Sequence, residues 1–498
     1  MMIRKEPLLI LAVSLLIPAF LQANPDPETE ALYQQHCASC HGSDRLGGMG
    51  PALLPDNLSR LKKPQAVDAI GDGRPATQMP AFAGILEPES ITALADYIYR
   101  PPASTPTWGQ AEILDSHLLP HPHGTLPDEP VYQADMMNLF LVVEIGDHHV
   151  TLLDGDEMEP IHRFASRYAL HGGPKYSPDG RYVYFGSRDG WITKYDLYNL
   201  KVVAEVRAGI NMRNIAVSAD GNYVMAANYL PHTLVMFDAT NLELMDIIPV
   251  ENDAGDSSRV SAVYAAPPRD SFIAALKDIP EAWEITVEDG EPGIRRMQTD
   301  TWLDDFFFDP GYDHLIGAAR DGKHGLVINL DTGKTVADLP LPGMPHLGSG
   351  ITWEHQGRRV MATPHFRTGA VSIIDMDNWE VIKTLETEGP GFFMRSHENS
   401  RYAWVDVFFG PNRDKVHVID KQTLEIVKTL QPAPGKVAAH VEFDRYGEKL
   451  LLSVWDKDGA VIVYDADTLE KEKRIPMNKP SGKYNVWNKI NYEEGTSH

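Results

Sequence analysis

Cysteine is almost absent from this chain: 498 residues contain only Cys37 and Cys40. Two thiols allow at most one disulfide, so disulfide bridges cannot carry the fold of so long a chain. Positive charge is also scarce. Lys and Arg number 45 against 70 Asp and Glu, for a net charge of −25. Nucleic-acid phosphates would be repelled by such a surface, so a nucleic-acid partner is not expected. Long apolar runs are missing after the N terminus, where no segment reaches the ~18 residues that suggest a membrane-spanning helix. The N terminus itself, "MMIRKEPLLILAVSLLIPAFLQA", has Arg4 and Lys5, an apolar run Leu8–Leu16 soon followed by Pro18, and the small Ala23. This is a secretory signal pattern over 1–23, and it predicts export to the periplasm with no membrane span after cleavage.

The two cysteines stand together in "HCASCHG", with His41 directly after Cys40. Cys-x-x-Cys-His is the attachment pattern for c-type haem, in which both thiols add to the vinyl groups and the histidine supplies an axial nitrogen. A redox-active dithiol would need a βαβ setting, and this motif sits in a helical one. A sixth ligand is expected in "GDGRPATQMPAF", where Met79 precedes the helical run Glu87–Tyr99. A thioether there raises the reduction potential relative to a second histidine. Met49 in "GGMGPAL" is the competing thioether but lies close to His41 in sequence. Residues 24–101 thus read as a small all-α class I cytochrome c domain, and the prolines 101, 102 and 106 mark a linker over 102–130.

From about residue 131 the pattern becomes repetitive. Short β-rich runs alternate with turns such as "SPDGRY", "SADGNY", "ENSRY" and "RYGEK". Eight units begin at Leu139, Ser177, Ser218, Pro267, Asp309, His355, Glu398 and Arg445. Each shows a strand, a turn, a strand ending near an aspartate, a polar turn and a last strand. Repeats of this length and content predict an all-β eight-bladed β-propeller over 131–498, with function at the mouth where loops gather. The histidine pairs His121/His123 and His148/His149 lack a third partner at ligand spacing and read as surface residues.

A cytochrome c joined to an eight-bladed propeller resembles the cytochrome cd1 family over nearly the whole mature chain. "RYALHGGPKYSPDGRY" is similar to the segment that supplies the proximal haem d1 ligand, which implies His171. "GSRDGWITKYDL" and "INMRNIAVS" resemble segments whose arginines hold the haem carboxylates, here Arg188 and Arg213, with Arg167 a weaker candidate. "GMPHLGSG" matches a distal-pocket histidine, His346. "SGKYNVWN" resembles the family's closing segment, with Tyr484 facing the site.

The chain departs from the nitrite reductase pattern in two places. "WLDDFFFDPG" has Asp304 where a second distal histidine is expected, and "KVAAHVEFDRYG" places His440 where the reductase has glutamine. Reducing nitrite to nitric oxide consumes two protons, so a missing donor weakens that activity. The combination resembles the dihydro-haem d1 dehydrogenase branch. That resemblance implies an oxidoreductase acting on a CH–CH group, turning a haem propionate into an acrylate in the last step of haem d1 biosynthesis, with electrons leaving through haem c. His440 would be a distal iron ligand or a base. His346 and Tyr484 would meet the reacting propionate, with His346 as proton acceptor because imidazole titrates near neutrality. The implied partners are the tetrapyrrole substrate, a periplasmic electron acceptor such as a cytochrome c, and nitrite reductase and other haem d1 assembly proteins. The competing functions are nitrite reduction, a non-enzymatic haem d1 carrier, and a dehydrogenase for a small alcohol or amine; the calcium- or quinone-binding signals usual for the last are not seen.

Overall fold

A computed structural model of the chain describes residues 26–48, 50–58, 61–73, 79–104 and 106–491. The expected signal over 1–23 and Met49 lie outside the described residues. Four helices come first: α1 (Pro27–His36), α2 (Ala38–His41), α3 (Lys63–Asp72) and α4 (Pro88–Ile98). Proline at the first position of α1 and α4 gives up only an amide that a helix start leaves unpaired. Along α4, Ile91, Leu94, Ala95 and Ile98 fall on one face and are buried against Tyr33, Ile70 and Phe82. No helix among the described residues is long and apolar enough to cross a membrane.

The segment expected as a linker is a strap fastened to the propeller. It carries α5 (Gln110–Asp115), whose Ile113 is fully buried among Ile192, Val206 and Val224. Leu118 and Glu205 exchange both backbone hydrogen bonds at 2.8 Å. Trp108 Nε1 donates to Arg207 O at 2.8 Å.

Eight four-stranded antiparallel sheets follow. Seven run in sequence order over 175–207, 211–249, 260–298, 303–340, 351–386, 394–430 and 438–477. The remaining blade joins the two ends of the propeller. Its strands Leu139–Glu144, His149–Asp154 and Glu159–Ala165 are completed by Pro480–Asn485, which pairs antiparallel with Leu139–Glu144. The ring is therefore closed by hydrogen bonds between its first and last strands.

Middle strands such as Tyr182–Gly186 are buried at every residue, because a neighbouring blade covers each face. Outermost strands such as Glu380–Glu386 alternate between exposed and covered residues, as one-sided strands do. The "SPDG" turn works through its side chains. Ser177 Oγ donates to Asp179 Oδ1 and accepts the Tyr182 amide at 2.9 Å, while Gly180 takes φ +73°. The loops that enter and leave the inner strands gather at one mouth, against which the helical unit sits.

Candidate functional site

The helical unit contains a cavity of about 530 Å³. Cys37, Cys40, His41, Met79 and Pro80 line it together with the apolar Leu58, Ile70, Phe82 and Leu94. Both cysteines are free thiols. Burial, with Cys40 adding to it, pushes the Cys37 thiol up to about 11. His41 Nδ1 donates to Pro51 O at 2.8 Å, so Nε2 carries the lone pair. Burial lowers the His41 pKa, against the pull of the Pro51 hydrogen bond, and keeps the ring neutral. Gly50 is required here: a Cβ on it would lie 2.7 Å from the imidazole. Two thiols, a fixed imidazole nitrogen and a thioether on one apolar cavity are the donor set a covalent haem needs.

The cavity does not stop at the helical unit. It runs on to the propeller mouth, where His148, Tyr168, His171, Arg188, Asp189 and Tyr229 form its wall. His171 Nδ1 donates to Arg213 O at 2.8 Å, repeating the arrangement of His41. The Arg213 side chain also lies against this ring, with Nη1 3.1 Å from Nδ1 and 3.3 Å from Nε2. Arg213 Nε donates to Ser261 O at 2.9 Å, and Nη2 lies 3.7 Å from Asp305 Oδ2. Arg188 sits over the Tyr229 ring at 5.4 Å. His148 was expected at the surface; instead it lines the cavity and packs on Tyr168 at 5.0 Å, because the hairpin that carries it points into the mouth. Arg167 is not brought to this wall. Glu205 holds it through Nε at 2.9 Å and Nη2 at 2.5 Å, and it lies on Trp191 at 3.7 Å.

Outside the wall of this cavity, His346 and His440 both pack against a cluster of phenylalanines. His346 is buried between Phe366 at 4.5 Å and Phe392 at 4.4 Å, and its Nδ1 donates to Phe392 O. Its Nε2 lies 3.8 Å from Asp305 Oδ2. Asp305 therefore stands between Arg213 and His346; Tyr264 donates to it at 3.1 Å. His440 packs on Phe393 at 4.7 Å and edge-on to Tyr484 at 5.2 Å. Burial drives the Tyr484 hydroxyl pKa upward, so it stays protonated. His171 and Tyr484 share the wall of a second cavity of about 30 Å³.

Sequence reasoning missed several members of this site. Asp304 and Asp305 were visible only as a departure from the reductase pattern. Asp304 faces outward to Lys277, and Asp305 faces in. Lys175 is lowered to about 8 by burial and by Arg213, against the pull of Asp305. Arg395 and Glu442 form a buried ion pair at 3.3 Å. Arg188, Arg213 and Lys175 thus gather near His171 in a chain whose net charge is −25, which suits a ligand bearing carboxylates.

The model of the family described as cytochrome D1 heme domain matches residues 134–489. The chain belongs to that family. Residues 24–98 match a second family, cytochrome C oxidase, cbb3-type, subunit III. These matches, with the eight closed sheets, bear out the expected cytochrome c domain followed by an eight-bladed propeller, and the expectation of a c-type and a d1-type haem. The dihydro-heme d1 dehydrogenase of Pseudomonas aeruginosa is 59% identical over 98% of this chain and 99% of its own length. The nitrite reductase of Stutzerimonas stutzeri is 26% identical over 97% of this chain and 96% of its own. A solved structure of dihydro-heme d1 dehydrogenase NirN in complex with DHE has a TM-score of 0.90 at 59% identity, covering 93% of this chain and 100% of that one.

Proposed function

We propose that the chain is a periplasmic oxidoreductase that completes haem d1 by oxidising a propionate side chain of dihydro-haem d1 to an acrylate. One observation carries the reading. His41 and His171 lie on one continuous cavity, and in each a backbone carbonyl holds Nδ1–H so that Nε2 is the nitrogen available to iron. The similarity to dihydro-heme d1 dehydrogenase supports the choice of substrate.

The covalent haem would be held by Cys37, Cys40, His41 and Met79, and it supplies one-electron transfer to a periplasmic acceptor such as a cytochrome c. His171 would hold the substrate iron through Nε2. Arg213, whose Nη1 now rests against both ring nitrogens of His171, gives up that contact and turns to a substrate carboxylate; Arg188 holds another. Converting CH₂–CH₂ to CH=CH releases two protons and two electrons; the electrons would leave one at a time through the covalent haem to the acceptor, and the proton not taken by His346 passes along the cavity to solvent. His346 takes a proton at Nε2, and Asp305 at 3.8 Å stabilises the imidazolium that results. Tyr484 stays protonated and donates its hydroxyl hydrogen to the propionate. The phenylalanines around His346 exclude water from the reacting bond. Nitrite reductase and other haem d1 assembly proteins are the partners expected to receive or hand over the tetrapyrrole.

The test is anaerobic incubation of the purified protein with dihydro-haem d1, followed by mass spectrometry of the extracted haem. A loss of two hydrogens is expected, and a His346→Ala/His440→Ala double variant should lack it. Tight binding with no mass change over many hours, in the presence of oxidised haem c, would leave a carrier. A second reading has one observation in its favour: His346 and His440 lie on either side of Phe393, at 6.3 and 4.7 Å, and so could serve as a donor pair for nitrite. Nitric oxide formed from nitrite at a rate matching dihydro-haem d1 turnover would favour it.

A further inference from the structure

His440 occupies an unusual backbone position. In the inner strand Ala438–Phe443 the pairing with Lys449–Val454 slips between Ala439 and Val441, which makes His440 the extra residue of a bulge. Its φ is +55°, in the left-handed region that non-glycine residues avoid. A bulge of this kind re-aims a side chain, and it persists only where its surroundings hold it.

Two buried titratable side chains, Asp406 and Lys483, hold this one. Asp406 Oδ2 accepts the His440 amide hydrogen at 3.2 Å. Lys483, on the closing strand, donates from Nζ to the His440 carbonyl and to Ser453 Oγ at 2.7 Å. The same peptide unit continues the clamp, since the Lys483 backbone N–H donates to His440 Nδ1 at 3.3 Å. Both side chains are fully buried, at 0% exposure. Asp406 reaches further. Its Oδ1 accepts the amides of Phe392 at 2.8 Å and Phe393 at 3.0 Å, and the Phe392 carbonyl is the group that fixes His346. One carboxylate therefore anchors the supports of both pocket histidines.

We infer that Asp406 and Lys483 are positioning residues of the reaction, which set the bulge at His440 and the complementary tautomers of His346 and His440. His346 donates from Nδ1 and presents a lone pair at Nε2, as a base must. His440 accepts at Nδ1 and presents a hydrogen at Nε2, which makes it the donor that holds the propionate carboxylate rather than a second base. Neither Asp406 nor Lys483 touches the substrate. The inference rests on the dehydrogenase reading above.

The experiment uses the full chain with its covalent haem and compares Asp406→Asn, Lys483→Met and the double variant with wild type. The double variant is included because the two buried groups support opposite ends of the same His440 residue, the amide and the carbonyl, so that either one alone can hold part of the bulge. The variants should keep the Soret band of the c-type haem and a KM within about twofold of wild type, while kcat falls roughly ten- to a hundredfold, the scale expected of a misplaced catalytic group. A folded variant with wild-type kcat, or a loss confined to KM, overturns the inference. If no variant folds, ¹⁵N-histidine spectra of the reduced wild type, assigned with His440→Gln, decide it: Nε2–H at His440 is expected and Nδ1–H overturns it. Absence of turnover in the wild type would instead strike the dehydrogenase reading.

Discussion

Four imidazoles of the site are sorted by what meets their Nδ1. In His41, His171 and His346 that atom faces a backbone carbonyl, of Pro51, Arg213 and Phe392. In His440 it faces a backbone N–H. A carbonyl fixes the hydrogen on Nδ1 and an amide fixes it on Nε2, so the main chain assigns roles that the side chains alone would leave open. A fifth histidine shows what burial does without such a role. His397 is 6% exposed, and its pKa is lowered to about 4 by burial and then by Arg395. The unfolded imidazole titrates near 6.5, so below that pH the unfolded chain binds the proton first. Stability is therefore lost as pH falls from 6.5 toward 4, by about 2 kcal/mol at pH 5. Urea unfolding at pH 7 and pH 5 should show the lower midpoint at pH 5, and His397→Gln should narrow the gap. An equal gap in the variant would assign the acid sensitivity to other groups.

At the scale of the strand, Pro480–Asn485 both closes the ring and carries the site. Lys483 and Tyr484 pair with Val142 and Leu141 of the first blade strand. Gly482 leaves room for this: a Cβ there would lie 2.2 Å from the Tyr484 hydroxyl. Gly482→Ala should push the phenol out of the pocket at a stability cost of about 1–3 kcal/mol, the usual penalty for overpacking. An absorbance titration with haem d1 should then show weaker binding while thermal unfolding stays cooperative. Unchanged affinity would mean that Tyr484 does not face the ligand.

The same strand shows what the sequence could reveal. The repeat units legible in the chain begin at hairpins such as that at Ser177, because side-chain turns and doubly buried strands leave strong local patterns. Each unit is three strands. The fourth, inner strand escapes because charged and polar residues such as Arg213, Asp305 and His440 interrupt its apolar pattern, and in two blades it is also short, two residues at Lys175–Tyr176 and three at Met394–Ser396. Those inner strands carry Lys175, Arg213, Asp305, Arg395 and His440. "CASCH" was legible because covalent attachment needs contiguous residues. The Asp406–His440–Lys483 clamp was not, because its members come together only when the ring closes.

For the whole molecule, the question is what fixes the haem-binding crevice against the propeller mouth. Arg207 is the point where three parts of the chain meet. It ends the outer strand Lys201–Arg207, is 5% exposed, and lies over the Trp108 ring of the strap at 4.4 Å. Nε donates to Asp189 O at 2.8 Å, and Nη2 donates to Leu46 O in the loop after His41. That loop is tied to the histidine itself, since the Gly47 amide donates to His41 O at 2.9 Å. Ala52, Leu54, Ile210 and Leu230 seal the contact with apolar surface. Arg207→Met would keep much of the packing but leave two buried carbonyls without a donor, at about 1–3 kcal/mol each. The apolar seal should hold the domains together while the crevice loses its fixed distance from the mouth. The expected result is an unchanged c-type haem spectrum and substrate affinity, with stopped-flow reduction of the c-type haem by bound dihydro-haem d1 slowed about tenfold, since electron transfer depends on that geometry. A wild-type rate would show that the strap and the apolar seal alone set the distance, and that Arg207 is a structural arginine with no part in delivering electrons.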